Sequence, residues 1–235
     1  DKSHSFNLSI EELLKQFPVA SSRKRKGIIS SIENRSDELV EIEQAGLYIF
    51  DQSSDDWCAG AVLQILNRKH PEVLNKILKN FSEGWYLTSS DQNINYETFQ
   101  QALLEENFEE ADRLTNSFLR QLAGADAIKR GYVYFSEVEN IPINDLNTID
   151  RLWVAYSQGK FGLSIQGRLL ESLGGRYELL WPRIGWKKDG IWTRYPNSFN
   201  WSIEAPEGHM PAINQLRGVR LLDSLLNHPG IKKRR

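Results

Sequence analysis

Over most of this chain the apolar residues recur every three or four positions, a period that commits it to helices. "LSIEELLKQF" sets Ser9 before such a run with Glu12 three positions on, the spacing of a reciprocally capped helix start. Between Arg25 and Phe50 the same period continues, broken at Asn34 to Asp37. "WCAGAVLQILNRKHPEVLNKILKNF" predicts two more helices, with Pro71 opening the second. Helix pairs without strands imply an αα array or a compact bundle over residues 1–90. The Ser-, Asn- and Asp-rich stretch Ser82 to Glu97 reads as the linker to a second domain, 91–235. The expected fold class is therefore all-α in both parts.

The second part opens with two helices hinged at Asn107, the latter ending at Gly124. "PINDLNTIDRLWVAYSQG" offers Asn147 as an N-cap before the stripe Ile149, Leu152, Trp153 and Tyr156, and "FGLSIQGRLLESLGG" gives a shorter helix ending in a glycine pair. The period then stops. From Trp181 to Pro211 about thirty residues run without it, and "KKDG" marks a turn between two aromatic segments. A segment of that length without regular structure belongs to a compact domain only when it does something. It holds Trp181, Trp186, Trp192, Tyr195, Phe199 and Trp201, flat side chains suited to lining an apolar cleft or to pinning the loop down. Directly after it, "NQLRGVR" places Asn214, Arg217 and Arg220 three residues apart on one helix side, opposite Leu216, Val219, Leu222 and Leu226. Two guanidinium forks and an amide suit a carboxylate; they also suit plain solvent.

Catalytic chemistry finds little support. The four histidines are scattered, and neither a nucleophile elbow, a phosphate-cradling glycine loop nor a paired-histidine metal helix occurs. Glu137 and Glu139 read as surface charge or a cap. The single cysteine, Cys58, excludes an internal disulfide and a cysteine-based zinc site. A net charge of −2 gives no reason to expect nucleic acid as a partner. The basic runs "SRKRK" and "KKRR" are expected to be solvated.

"DLNTIDRLWVAYSQGKFGLSIQGRL", "GW…WTRYPNSFNW" and "PEGHMPAINQLRGVR", in that order between Tyr96 and Pro229, resemble the core domain of the genomes-uncoupled-four family. The resemblance implies an all-helical core shaped like a cupped hand, with the aromatic loop in a porphyrin-binding cleft and an extra helical domain ahead of it. It implies binding of protoporphyrin IX and Mg-protoporphyrin IX, and activation of magnesium chelatase in chlorophyll biosynthesis through the enzyme's large porphyrin-binding subunit. The protein itself is then no enzyme, with no catalytic residue, no metal site and the porphyrin as ligand rather than catalytic cofactor. The family's polar binding residues fall on Asn214, Arg217 and Arg220, and its palm on Phe135, Val138, Trp192, Tyr195 and Phe199. A monomer in a cyanobacterial cytoplasm or a plastid stroma is the expected setting, with peripheral membrane association left open. Two departures stand out: Tyr195 occupies a position where cyanobacterial relatives often carry Trp, and "HPGIKKRR" lacks the serine-bearing tail of plant members. The competing classes are a helical protein-interaction module whose aromatic loop meets a partner chain without pigment, and an enzyme of tetrapyrrole metabolism.

Overall fold

Local chemistry sets the first helix starts. In the computed structural model, which describes residues 8–213 and 219–235, the Ser9 hydroxyl accepts the Glu12 amide while the Glu12 carboxylate accepts the Ser9 amide. That box opens α1 (Ile10–Gln16), followed by α2 (Ser22–Asn34) and the single turn α3 (Ser36–Leu39). Next come α4 (Cys58–Lys69) and α5 (Pro71–Leu78), with Pro71 in the first turn where its missing N–H costs nothing.

The α4 helix is buried on every side from Cys58 to Leu66, because it lies between the early helices and the rest of the chain. Those later elements are α6 (Glu97–Leu104), α7 (Phe108–Ala123), α8 (Ala125–Arg130), a 3-10 turn over Phe135–Asn140 and α9 (Ile143–Ala155). Gly60 lets α4 approach the Ala155 carbonyl so closely that a Cβ there would overlap the oxygen. The Gln64 amide crosses the same contact, donating to the carbonyls of Leu103 (3.1 Å) and Tyr156 (2.7 Å). One hydrophobic cluster therefore runs from Ile10 to Ile231.

The Ser/Asn/Asp-rich stretch is non-helical up to Tyr96, as its composition predicts, yet it is bound along its length. Trp85 and Tyr86 are buried, the Thr148 hydroxyl donates to the Ser89 carbonyl, and Asp145 accepts the Asp91 amide. Thr148 and Asp145 of α9 thus hold its backbone in place. Asn107 caps α7 and Gly124 ends it, both as expected. Asn147 is a correction: α9 starts one turn earlier, after Pro142, whose extended backbone ends the preceding loop. Asn147 consequently sits inside the helix, its side-chain oxygen without a partner among the described residues.

After α10 (Leu163–Ser172) and α11 (Tyr177–Arg183) the chain makes its sole strand pair among the described residues, β1 (Lys187–Lys188) against β2 (Ile191–Trp192). Asp189 and Gly190 turn it with positive φ, the geometry two-residue hairpins favour. Two helices close the fold, α12 (Val219–Asn227) and α13 (Pro229–Lys232).

The "KKRR" end corrects a second expectation. Arg234 donates to the fully buried carboxylate of Asp150 (2.6 Å) and to Asp55 (2.7 Å), and Arg235 pairs with Glu171. A buried carboxylate is costly without partners, and for Asp150 the chain end supplies a cation. Among the described residues no helix is long and apolar enough to cross a membrane.

Gly60→Ala tests the central contact. Helix propensity alone favours Ala by about 1 kcal/mol, but overpacking against the Ala155 carbonyl is expected to outweigh it. We expect a net loss of about 1–3 kcal/mol in urea unfolding; an unchanged or higher midpoint would show that α4 does not depend on the close approach.

Candidate ligand-binding site

The α7 helix has two faces of different character. Phe108, Ala111, Thr115, Phe118 and Leu122 are buried at three- and four-residue spacing, and Trp153 donates to the Thr115 hydroxyl at 2.9 Å. Arg113, Asn116 and Arg120 border a cavity of about 500 Å3. It is also lined by Leu221 and Leu225 of α12, by Tyr132, Val133 and Ile141, and by Tyr195 with Ala212 and Ile213. Arg113 is engaged by Glu110 through two short bonds, whereas Arg120 has no ion-pair partner among the described residues. The cavity is thus apolar across its width and cationic along one edge.

The aromatic loop divides into two groups. Trp181 and Trp186 stack in parallel at 5.6 Å, with Trp192 tilted against Trp181 and Lys187 over the Trp192 ring. Trp192 is 45% exposed on the hairpin and does not border the cavity. Tyr195 does, and behind it Phe199 is buried between Tyr195 (5.5 Å), Trp201 (5.4 Å) and His209 (4.7 Å).

His209 holds this group in place. Its Nδ1 lies 2.7 Å from the Ile184 carbonyl and must carry the proton, so Nε2 accepts the Asn200 amide at 3.2 Å. Burial pushes its pKa below the ordinary value, which keeps the ring neutral. Asp112 holds the other side. It is fully buried in α7, its Oδ1 accepting the Ala212 amide (2.6 Å) and its Oδ2 the Tyr195 hydroxyl (2.9 Å). Burial raises its pKa to about 6 although both hydrogen bonds act to lower it.

Phe135 and Val138 lie on the 3-10 turn, which is braced from α8. Arg130 pairs with Glu137 at 2.6 Å, and Glu137 in turn caps the turn through the Tyr134 amide. Val138 is buried; Phe135 is 46% exposed, with the Arg220 guanidinium 5.5 Å from its ring centroid. Arg220 stands exposed at the start of α12, without an ion pair among the described residues. Asn214 and Arg217 lie outside the described residues. Of the expected site residues, then, Tyr195 borders the cavity, Phe199 supports it, Phe135 and Arg220 meet each other, and Trp192 stands apart on the hairpin.

Residues 89–229 match the family model described as GUN4-like. The chain belongs to the GUN4-like family. A Ycf53-like protein of Synechocystis is 44% identical over 171 residues, which are 72% of this chain and 73% of that protein. The solved GUN4 of Chlamydomonas reinhardtii superposes with a TM-score of 0.59 at 34% identity, covering 62% of this chain and 93% of that one. A chloroplastic tetrapyrrole-binding protein of Arabidopsis thaliana is 36% identical over 143 residues, 57% of this chain and 54% of its own length. The GUN4-like match takes in α7, the aromatic loop and α12, every wall of the cavity.

Sequence reasoning missed Asp112, the Arg130–Glu137 brace and the polar edge of α7. One signal for Asp112 was present: an acid four residues after Phe108 and three before Thr115, on the buried stripe. Its partners are 83 and 100 residues away and carry no mark in the sequence.

Burial that lowers the pKa of His209 has a pH consequence. The folded state resists protonation while the unfolded state takes a proton near pH ~6.5, so its stabilising contribution is complete above that pH and lost as pH falls below it. Asp112 acts in the opposite sense, favouring the folded state as pH falls below about 6. His209→Gln should therefore lose less urea stability between pH 7.5 and 5.5 than the parent; equal losses would contradict the assignment of a neutral buried ring.

Proposed function

We propose that this chain binds protoporphyrin IX and Mg-protoporphyrin IX in the cavity between α7, α12 and the aromatic loop, and activates magnesium chelatase by presenting porphyrin to its large subunit. The observation that carries the reading is a cavity of about 500 Å3 with leucine, isoleucine and tyrosine on its walls and, at its α7 edge, the Arg120 guanidinium, which has no ion pair among the described residues. A porphyrin has the matching chemistry: a flat apolar disc with two carboxylates on one edge. Leu221, Leu225, Ile141 and the Tyr195 ring supply contact for the disc, and pockets of this size commonly hold ligands of a few hundred Å3. Arg220 and Arg120 supply charge for the propionates, with Asn214 and Arg217 assisting from the sequence. The name of the Arabidopsis relative agrees with a tetrapyrrole ligand.

On this reading the protein is a regulator rather than a catalyst. Among the described residues no group of three or more His, Cys, Asp or Glu is placed to hold a metal. We further propose residues 1–90 as an N-terminal helical module that stabilises the core through α4, a monomeric state, and a site of action in a cyanobacterial cytoplasm or a plastid stroma. The alternative, a partner interface without pigment, draws support from the hairpin, where Ile191 is 73% and Trp192 45% exposed. A Soret band shifted on mixing with protoporphyrin IX separates the two readings, and a faster chelatase reaction at limiting porphyrin tests the activation.

Replacing both arginines, Arg217→Ala with Arg220→Ala, should raise the Kd for protoporphyrin IX about 10- to 100-fold in tryptophan-quenching titrations. The dimethyl ester, which has no propionate charge, should be affected little. An unchanged Kd for the free acid would remove the arginines from the site.

A further inference from the structure

Asp112 of α7 joins the aromatic loop to the segment that follows it. Its side chain is fully buried behind the cavity, where it accepts the Tyr195 hydroxyl from the aromatic loop and the amide of Ala212, and both of those residues border the cavity. Among the described residues no lysine or arginine pairs with it. A fully buried, unpaired carboxylate costs stability, and two converging donors alone do not require one; an amide or a hydroxyl would also fill the space.

We propose that Asp112 is the positioning residue of the tetrapyrrole site: as a carboxylate it turns the Tyr195 hydroxyl away from the ligand, and ligand affinity follows its charge. The proposal rests on the tetrapyrrole reading above. Its logic is donor counting. An ionised carboxylate only accepts, so it satisfies the Ala212 amide on Oδ1 and the Tyr195 hydroxyl on Oδ2 together. The Ala212 N–H cannot rotate or accept, so a proton added to Asp112 must sit on Oδ2. There it donates to the Tyr195 oxygen, and the Tyr195 proton is released towards the cavity. An unpaired O–H then faces the apolar disc, which disfavours binding.

The groups facing Asp112 are few. From α7, Glu109 opposes its ionisation and Asn116 reaches it weakly at 3.4 Å. From the loop, Tyr195 favours ionisation, as does the Ala212 amide from the segment beyond. Arg113 and Arg120 of α7 border the cavity that Tyr195 borders, and His209 lies beyond Phe199. Burial outweighs the hydrogen bonds and sets the titration at about pH 6, within reach of ordinary buffers.

Asp112→Asn imitates the protonated state, because its NH2 must face Tyr195 while its oxygen keeps Ala212. The measurement is the ratio of Kd values for protoporphyrin IX, variant over parent, from pH 8 to pH 5; the ligand's own titration cancels in the ratio. The expected ratio is about tenfold at pH 8, closing to about twofold at pH 5 as the parent protonates. A ratio that stays constant with pH, or stays near one, overturns the proposal. Tyr195→Phe provides a second route should the Asn variant fold poorly. Without the hydroxyl there is nothing to reverse, so the pH dependence shared by parent and ligand should reduce to the ligand's alone, and adding Asp112→Asn should weaken binding no further. Additive losses would mark Asp112 as merely structural and also overturn the proposal. Absence of binding by the parent at every pH would instead sink the tetrapyrrole reading beneath it.

Discussion

A loop of about thirty residues without helix can lie against a folded core only if its backbone amides and carbonyls find partners there. This requirement governs the second half of the molecule. Gln166, buried in α10, donates to the carbonyls of both Gly208 and Pro211; the Lys160 ammonium donates to the Ile203 carbonyl, and the Lys160 carbonyl accepts the Gly208 amide. Trp186 donates to the His209 carbonyl, His209 spans Ile184 and Asn200, and Asp112 takes Ala212. Buried polar side chains thus do for the loop what a ladder does for a strand. This is why α7 carries Asp112 and α10 carries Gln166 at buried positions where a simple helix bundle would carry Leu.

Holding the loop this way leaves a space between it and α12. Had the loop been pinned by aromatic burial alone, its rings would have collapsed onto α7 and filled the gap. Instead Phe199, Trp201 and His209 pack on one another behind Tyr195, and only the Tyr195 ring reaches the cavity. The Arg130–Glu137 pair does the equivalent on the other wall, keeping Phe135 out where Arg220 meets it. Apolar walls and a cationic rim are thus held apart by the same side chains that satisfy the loop's backbone.

Helix positions were legible because the three-to-four period survives wherever a helix has one wet face, as in α1, α5 and α7. The Ser9 box, Pro71, Asn107 and Gly124 were readable as punctuation since each acts within four residues of itself. Asn147 misled because an Asn before an apolar run is equally compatible with a helix interior, and Pro142 settled the matter. The "KKRR" end misled in another way: charge on its own predicts solvent, and the buried Asp150 that captures Arg234 is 84 residues away. Of the site, the loop's aromatic composition and the Arg spacing announced a ligand, but the division of the rings into a hairpin group and a cavity group could not be read. It depends on which rings face His209 and which face Trp181, and one sequence records neither.

The central claim is the location of the ligand, and a crystal structure of the chain with Mg-protoporphyrin IX tests it most directly. The account predicts the macrocycle between α7 and α12, its face on Tyr195 and Leu225, its propionates at Arg220 and Arg120. A macrocycle seated on the exposed hairpin against Ile191 and Trp192, with the cavity empty, would contradict it.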